Sequence, residues 1–254
     1  MTYLTFLLVF IVPPILALAA LQPNPADGWP AQRGKWALLA ILAIAFSYTT
    51  PWDNYLVYAG VWWYGDERVI GTIGYVPIEE YMFFLLQPIL TGLLLYRYLK
   101  RDPSILKVTH RFDIGHVIGI AFYFAITVIG AIQISFRGHH LYMGLILAWA
   151  GPVLLLLWLY AGPLYLAKWH IFLASFALPT LYLWVADRIA IGLEIWTISD
   201  ELAYDFDPFG LPIEEALFFL VTNLLVVQGC MLFLYGDVVF ERFWSSRKAV
   251  LARE

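Results

Sequence analysis

The stretch PIEEYMFFLL, Pro77 to Leu86, returns later in the chain as PIEEALFFLV, Pro212 to Val221. One proline, one isoleucine, two glutamates and two phenylalanines keep the same spacing in both copies, and a long apolar run follows each. A repeat of this length is typical of two related halves within one chain. It also places acidic pairs at the edges of two apolar segments, where ionisable side chains are costly and usually functional.

The composition is that of an integral membrane protein. Of the 254 residues, 62% are hydrophobic and only 13% are charged, whereas a soluble chain carries about a quarter charged residues. There are too few polar side chains to cover a water-facing surface. The net charge of −4 and the lack of a basic patch indicate no nucleic-acid partner.

We predict an all-α integral membrane fold with seven spans of about 20 residues each. The predicted spans are residues 2–21, 36–53, 77–98, 115–134, 141–161, 167–188 and 212–235. Helices 1–3 and 5–7 are then two parallel three-helix repeats joined by helix 4, related by an axis along the membrane normal. The corresponding domains are residues 1–114, 115–140 and 141–254.

The basic residues predict the orientation of these spans in the cell membrane. Of the 15 lysines and arginines, only Arg68, Arg137 and Arg188 fall in the predicted outer connections. Cytoplasmic loops carry the excess of basic residues, so we predict the N-terminus outside and the C-terminus in the cytoplasm. The basic residues on the predicted cytoplasmic side are Arg33, Lys35, Arg97, Lys100, Arg101, Lys107, Arg111, Lys168, Arg242, Arg247, Lys248 and Arg253.

The four glutamates of the repeated phrase are the candidate catalytic residues. Pro77 and Pro212 suit the first position of a helix, which puts the acids in the first turn, where they stabilise the helix dipole by about 0.3–1 kcal/mol each. For a single copy of the acidic pair, helix capping and a functional role would be equally good explanations. Two identical pairs, each followed by two phenylalanines, favour function. The four are Glu79, Glu80, Glu214 and Glu215.

A carboxylic acid can protonate a substrate if it stays neutral near the working pH. The start of a helix favours the anion, whereas desolvation and a second nearby carboxylate favour the neutral acid. One acid of a pair could give a proton while its ionised neighbour takes one back, and the sequence leaves the assignment open. Asp53 and Asp187, at the outer ends of predicted helices 2 and 6, either support the glutamates or are solvated helix ends.

Aromatic side chains surround the acids in the sequence. Ring faces stabilise a cation by roughly 0.5–2 kcal/mol each, whereas an aromatic belt at the membrane interface explains any single tryptophan. The phenylalanine pairs lie one helical turn beyond the acids and share their face. The aromatic residues near the acids are Trp62, Trp63, Tyr64, Phe83, Phe84, Trp196, Phe218 and Phe219, and the candidate lining residues among them are Trp63, Phe83, Phe84, Trp196, Phe218 and Phe219.

Metal and cofactor use have weak support. Acidic residues cluster at Asp200, Glu201, Asp205 and Asp207, but the matching connection at 54–76 offers only Asp66 and Glu67. No G-x-G-x-x-G motif follows a strand, as a dinucleotide site would require. We predict neither a metal nor a cofactor.

Two stretches carry a family resemblance: PWDNYLVYAGVWWYGDERVIGTIGYVPIEEYMFF, residues 51–84, and LPIEEALFFLVTN, residues 211–223. They resemble the integral-membrane lycopene cyclases of actinobacteria, archaea and fungi, which occur as two small subunits or as one fused chain. Both halves are covered, so the resemblance implies the fused form. Asp187-Arg188 stands where the first half has Asp53-Asn54, which leaves open whether the halves contribute equally.

The resemblance implies a proton-initiated, cofactor-independent cyclisation of the linear ends of lycopene. Protonation of an end-group double bond gives a tertiary carbocation, the neighbouring double bond closes a six-membered ring, and proton loss leaves a β-ionone ring without net redox change. The family's acids correspond here to Glu79, Glu80, Glu214 and Glu215. The implied partners are lycopene, other linear carotenoids and membrane lipid.

Three alternatives stay open at this point. The protein could be a related carotenoid hydratase, a prenyl-transferring elongase, or a membrane protein that binds carotenoid without catalysis. The number of ends cyclised, the ring type and the oligomeric state are also open.

Overall fold

The computed structural model is a bundle of helices with short strands in its outer connections. It describes the backbone of residues 1–102 and 114–251, and side chains up to residue 236. Several residues used to predict the orientation therefore lie outside the described part: Lys107, Arg111, Arg253 and the side chains of Arg242, Arg247 and Lys248.

Most helix ends lie within a few residues of the ends of the predicted spans. In chain order they are α1 (Tyr3–Phe6), α2 (Val12–Ala20), α3 (Ala31–Tyr58), α4 (Ile78–Leu99), α5 (Ile114–Phe136), α6 (Leu141–Ala167), α7 (Trp169–Gly192) and α8 (Ile213–Leu251). A π-helical stretch, Leu7–Ile11, joins α1 to α2 just before Pro13 and Pro14. Proline has no N–H for the α-helical ladder, so a local change of helix type is expected there.

The prediction of an all-helical membrane protein is confirmed. Within the described residues, six helical segments are long and apolar enough to cross a membrane: Tyr3–Ala20, Ile78–Leu99, Ile114–Phe136, Gly138–Ala167, Trp169–Gly192 and Ile213–Gly236. Helix α3 covers the remaining predicted span, 36–53. It includes Arg33, Lys35 and Asp53 and is less apolar, so its crossing of the membrane stays a prediction.

Helices α4 and α8, which begin with the two repeated phrases, form the centre of the bundle. Helix α4 packs against α2, α3, α7 and α8, and α8 packs against α3, α4, α6 and α7. Helix α5, the predicted connecting helix, lies on α6. A Cβ at Gly130 of α5 would come within 2.6 Å of the Ala148 nitrogen, so this glycine permits the close approach of the two helices.

The outer connections form two short antiparallel ribbons. Strand β1 (Trp62–Tyr64) pairs with β4 (Trp196–Ile198), with Trp63 opposite Thr197, while β2 (Thr72–Ile73) pairs with β3 (Val76–Pro77). The β1–β4 ribbon joins the connection that precedes α4 to the one that precedes α8. Both repeated phrases are therefore fixed at the same end of the bundle.

Candidate active site

The two glutamates of each pair have different surroundings, although all four lie in the first turn of α4 or α8, as predicted. Glu79 and Glu214 are fully buried and face the outer connections. Glu80 and Glu215 line a cavity. Adjacent residues of an α-helix point about 100° apart, so one acid of each pair faces the loop and the other faces the bundle axis.

Glu79 and Glu214 hold the outer connections in place. Oε1 of Glu79 accepts a hydrogen bond of 2.8 Å from the backbone N–H of Ile70, and Oε1 of Glu214 accepts one of 2.8 Å from Tyr204. Neither glutamate lines the cavity that holds the other two. Glu79 and Glu214 therefore anchor the outer connections, whereas Glu80 and Glu215 line the cavity. The sequence did not reveal this difference within each pair.

Four acids meet in one space, which we call the acid cavity. It is lined by Asp53 of α3, Glu80 of α4, Asp187 of α7 and Glu215 of α8, and also by aromatic and aliphatic side chains. None of the described residues that line it is basic. Burying several carboxylates without a counter-charge is strongly unfavourable, so a cluster of this kind indicates a functional role.

Tyrosines orient the two cavity glutamates. The Tyr3 hydroxyl donates to Oε2 of Glu80 and the Tyr142 hydroxyl donates to Oε1 of Glu215, both at 2.6 Å. Tyr64 donates a further, longer bond of 3.2 Å to Oε2 of Glu80. One oxygen of each carboxyl is thus occupied by phenol hydroxyls, which leaves the other oxygen to exchange a proton with a bound molecule.

Tyr64 stays a hydrogen-bond donor at any working pH. Its burial, and next the nearby Glu80 carboxyl, raise the pKa of the Tyr64 phenol well above the ordinary value. The indole N–H of Trp62 donates to the Tyr64 oxygen at 3.2 Å and fixes the ring.

The sequence analysis missed Tyr3 and Tyr142, and it named Tyr64 only as one of the aromatic residues near the acids. A signal for Tyr3 and Tyr142 was present, because each is the second residue of a predicted span, at the start of 2–21 and of 141–161. They are almost completely buried, which requires a partner for the hydroxyl.

The two aspartates are buried, which excludes solvated helix ends. Asp53 is 2% exposed and Asp187 is 1% exposed. The indole N–H of Trp196 donates to Oδ1 of Asp187 at 3.1 Å. Within the described part of the chain, Oδ2 of each aspartate has no hydrogen-bond partner. Such oxygens are available to share a proton with the glutamates or with a bound molecule.

The predicted aromatic residues divide between three locations. Phe83, Trp196, Phe218 and Phe219 line the acid cavity. Phe84 lines a second, apolar cavity instead. Trp63 is 49% exposed and does not line either cavity, whereas its neighbours Trp62 and Tyr64 line the acid cavity. Side chains alternate between the faces of a strand, so residues 62 and 64 of β1 point inward and residue 63 points outward.

The fold and the site together define a helical membrane protein with a buried acid cavity lined by aromatic side chains. The chain belongs to the lycopene cyclase family, whose model matches residues 1–99 and 139–246.

Relatives of the chain agree with this membership. A protein of Halobacterium salinarum strain R1 named lycopene beta-cyclase is 40% identical over 234 residues, which cover 91% of this chain and 95% of the relative. A protein of Arthroderma gypseum named bifunctional lycopene cyclase/phytoene synthase is 36% identical over 223 residues, covering 80% of this chain and 37% of that protein. No solved structure matches the chain significantly.

Proposed function

We propose that this protein is a lycopene cyclase of carotenoid biosynthesis, which converts linear ends of lycopene into β-ionone rings without a cofactor. One observation carries the proposal: Glu80 and Glu215, at equivalent places in the two phrases, face one cavity, and each accepts a 2.6 Å bond from a buried tyrosine. Membership of the lycopene cyclase family supports it.

The chemistry requires a proton donor, a proton acceptor and protection of a cation. A neutral glutamic acid protonates the terminal double bond of the substrate, and the next double bond attacks the tertiary cation and closes the ring. A carboxylate then removes a proton from the ring, so the product is an isomer of the substrate. In this proposal Glu80 and Glu215 exchange these protons, and Asp53 and Asp187 hold further protons beside them.

The rings around the acids suit the cation. Trp196, Phe83, Phe218 and Phe219 line the same cavity as the four carboxyls. Aromatic faces attract a cation, by roughly 2 kcal/mol or more where water is excluded. The β1–β4 ribbon contributes Trp62 and Tyr64 to the lining and shields the cavity on its outer side. Exclusion of water matters because water would capture the cation as an alcohol.

Glu79 and Glu214 act indirectly in this mechanism. Each anchors the connection that contributes a wall to the acid cavity. We propose that they keep the ribbon closed rather than deliver a proton.

We also propose that the chain consists of two parallel repeats, residues 1–114 and 141–254, joined by a helix within 115–140. Matching hydrogen bonds support this arrangement. The N–H of Tyr3 donates to the Arg68 carbonyl at 2.8 Å, and the N–H of Tyr142 donates to the Leu202 carbonyl at 3.0 Å. Each accepting residue lies two positions before the residue that binds Glu79 or Glu214.

A second matched pair of bonds crosses between the proposed repeats. The Tyr48 hydroxyl of α3 donates to the Trp149 carbonyl of α6 at 2.9 Å. The Tyr182 hydroxyl of α7 donates to the Phe10 carbonyl in the π-helical stretch at 2.6 Å. Tyr48 lies five residues before Asp53, as Tyr182 lies before Asp187. The same relation in both directions is what a twofold axis produces.

For the location we propose the cell membrane, with the N-terminus outside and the C-terminus in the cytoplasm. The distribution of basic residues supports this orientation. The acid cavity then lies near the outer face, and linear carotenoids within the bilayer are the substrates.

Expression in bacterial cells that accumulate lycopene tests the function. We expect cyclic carotenes with the mass of lycopene in the pigment extract. Glu80→Gln and Glu215→Gln keep the side-chain shape but remove the acid, and we expect each to abolish cyclisation. The control is Glu67→Gln, at an exposed position away from the cavity.

Other products would contradict the proposal in distinguishable ways. Unchanged lycopene with the parent protein would indicate a carotenoid-binding protein without catalysis. A product heavier by one water would indicate a hydratase. A prenylated product that requires Mg²⁺ and a prenyl diphosphate would indicate an elongase.

A further inference from the structure

A second cavity lies next to the acid cavity, between α3, α4, α6 and α8, and we call it the apolar cavity. Phe83 and Phe218 line both cavities, so the two spaces meet at these rings. The apolar cavity encloses about 800 Å³ of empty space, part of it open to the surroundings.

The apolar cavity is long and extends along the membrane-spanning direction. Its lining on α8 runs from Phe218 to Phe233, which corresponds to about 22 Å at 1.5 Å per residue. This is most of the roughly 30 Å thickness of the hydrocarbon core of a bilayer. The space therefore suits an extended chain rather than a compact molecule.

Most of the side chains that line the apolar cavity are apolar, and three of the polar ones have a donor engaged within the protein. The Tyr48 hydroxyl donates to the Trp149 carbonyl at 2.9 Å, and the Thr222 hydroxyl donates to the Phe218 carbonyl at 2.8 Å. The amide of Gln87 donates to Asn223 at 2.6 Å. The indole N–H of Trp149 has no hydrogen-bond partner within the described residues, and its nitrogen is buried. A lining of this kind favours a hydrocarbon occupant.

The far part of the cavity is accessible from the lipid. Ile44 of α3 is 50% exposed and Phe233 of α8 is 47% exposed, and both line the cavity. Within a membrane, exposed side chains at this depth face acyl chains. A hydrocarbon dissolved in the bilayer can reach the cavity without crossing water.

We propose that the apolar cavity binds the conjugated chain of the substrate while one of its ends lies between Glu80 and Glu215 in the acid cavity. This inference rests on the proposed function. A linear polyene is rigid, extended and wholly apolar, and it matches the length, the lining and the continuity of the two cavities. Phe83 and Phe218 mark the boundary between the reacting end and the chain.

A substitution that fills the cavity tests the proposal. Val153 of α6 lines the apolar cavity, and Leu156, three residues on, is 54% exposed and lines neither cavity. The substrates are lycopene and an apo-lycopenal with one intact acyclic end and a shortened chain. We expect Val153→Trp to lower lycopene turnover by about tenfold or more while changing turnover of the short substrate by less than about threefold, because the added bulk overpacks only the chain site.

The control and a second variant separate this effect from misfolding. Leu156→Trp adds the same ring to the same helix, and we expect both substrates to be cyclised at the parent rate. Ile44→Trp, at the exposed mouth of the cavity, should reproduce the selective loss on lycopene. An equal loss on both substrates, or undiminished lycopene turnover in both cavity variants, would overturn the proposal.

A binding measurement distinguishes failure of the chain site from failure of the proposed function. Glu215→Gln protein purified from lycopene-accumulating cells should carry lycopene, and adding Val153→Trp should reduce the bound pigment several-fold. Adding Leu156→Trp to the Glu215→Gln protein should leave the amount of bound pigment unchanged. If the parent cyclised neither substrate, the proposed function would fail, and the pigment measurement would still decide whether the apolar cavity holds the chain.

Discussion

Removing the Tyr142 hydroxyl should slow the chemical step without weakening substrate binding. This hydroxyl donates to Oε1 of Glu215 at 2.6 Å in a buried environment. When Glu215 gives up its proton it becomes an anion, and the bond to Tyr142 then becomes a bond to a charge. Hydrogen bonds to charged groups contribute roughly 1.5–3 kcal/mol, which corresponds to about a 10- to 150-fold decrease in kcat for Tyr142→Phe.

The equivalent change at the other glutamate should be milder. Glu80 accepts bonds from both Tyr3 and Tyr64, so Tyr3→Phe leaves one donor in place. We expect a smaller loss for Tyr3→Phe than for Tyr142→Phe, and a comparable loss once Tyr64→Phe is added. The assay is initial-rate cyclisation of lycopene in membranes over a range of substrate concentrations, which separates kcat from KM.

Tyr165→Phe is the matched control. Tyr165 is completely buried, and its hydroxyl donates to the Gln228 carbonyl at 3.0 Å, away from the acid cavity. The control should reduce thermal stability by a similar amount and leave kcat unchanged. Tyr142 touches no reacting atom in this mechanism and acts by positioning Glu215. If Tyr142→Phe changed only stability or KM, the reasoning would be refuted.

Three further outcomes follow from the same contacts. Glu79→Gln should retain activity within about threefold, because the amide oxygen can still accept the Ile70 N–H, whereas Glu80→Gln should be inactive. An equal loss of cyclic pigment in both variants would contradict the separate roles of the two glutamates. Phe218→Leu should slow turnover by about 2- to 30-fold, the rate equivalent of one cation–ring contact, and undiminished turnover would remove this ring from the mechanism. Phe209→Cys, at a position 99% exposed in the outer connection, should react with a membrane-impermeant thiol reagent on intact cells, against a low background because Cys230 is buried. Labelling of Phe209→Cys only after permeabilisation would reverse the proposed orientation.

The positions of the helices could be predicted because bilayer thickness and apolar run length determine them directly. The observed helix Ile78–Leu99 differs from the predicted span 77–98 by one residue at each end. The acids could also be found, because ionisable side chains stand out in an apolar sequence. The end of helix α8 was predicted less well, since the helix continues to Leu251, well beyond the predicted end at 235.

The separate roles within each acidic pair could not be predicted, because they depend on which face of the helix meets the loop. Glu79 and Glu80 are neighbours of identical chemistry, and only their folded surroundings distinguish them: Glu79 accepts from the Ile70 N–H, whereas Glu80 accepts from the Tyr3 hydroxyl in the acid cavity. Trp63 was selected on residue type, but the alternation of side chains along β1 turns it outward. The pairing of β1 with β4 links segments more than 130 residues apart, and no local pattern in the sequence specifies that contact.

Cyclisation of both ends of lycopene should proceed through a released monocyclic product. Glu80 and Glu215 come from different halves of the chain but line the same cavity, so the two halves form one site. A rigid chain held in the apolar cavity presents one end to this site at a time. The second end can reach the acids only after the molecule has left and returned in the opposite sense.

A time course with limiting protein and excess lycopene should therefore show the monocyclic carotene accumulating before the dicyclic one, and a competing pulse of labelled lycopene should dilute the second step. Appearance of the dicyclic product from the first turnover, without free monocyclic carotene, would show that both ends react during one binding event and that a single acid cavity with a single chain site does not describe the enzyme.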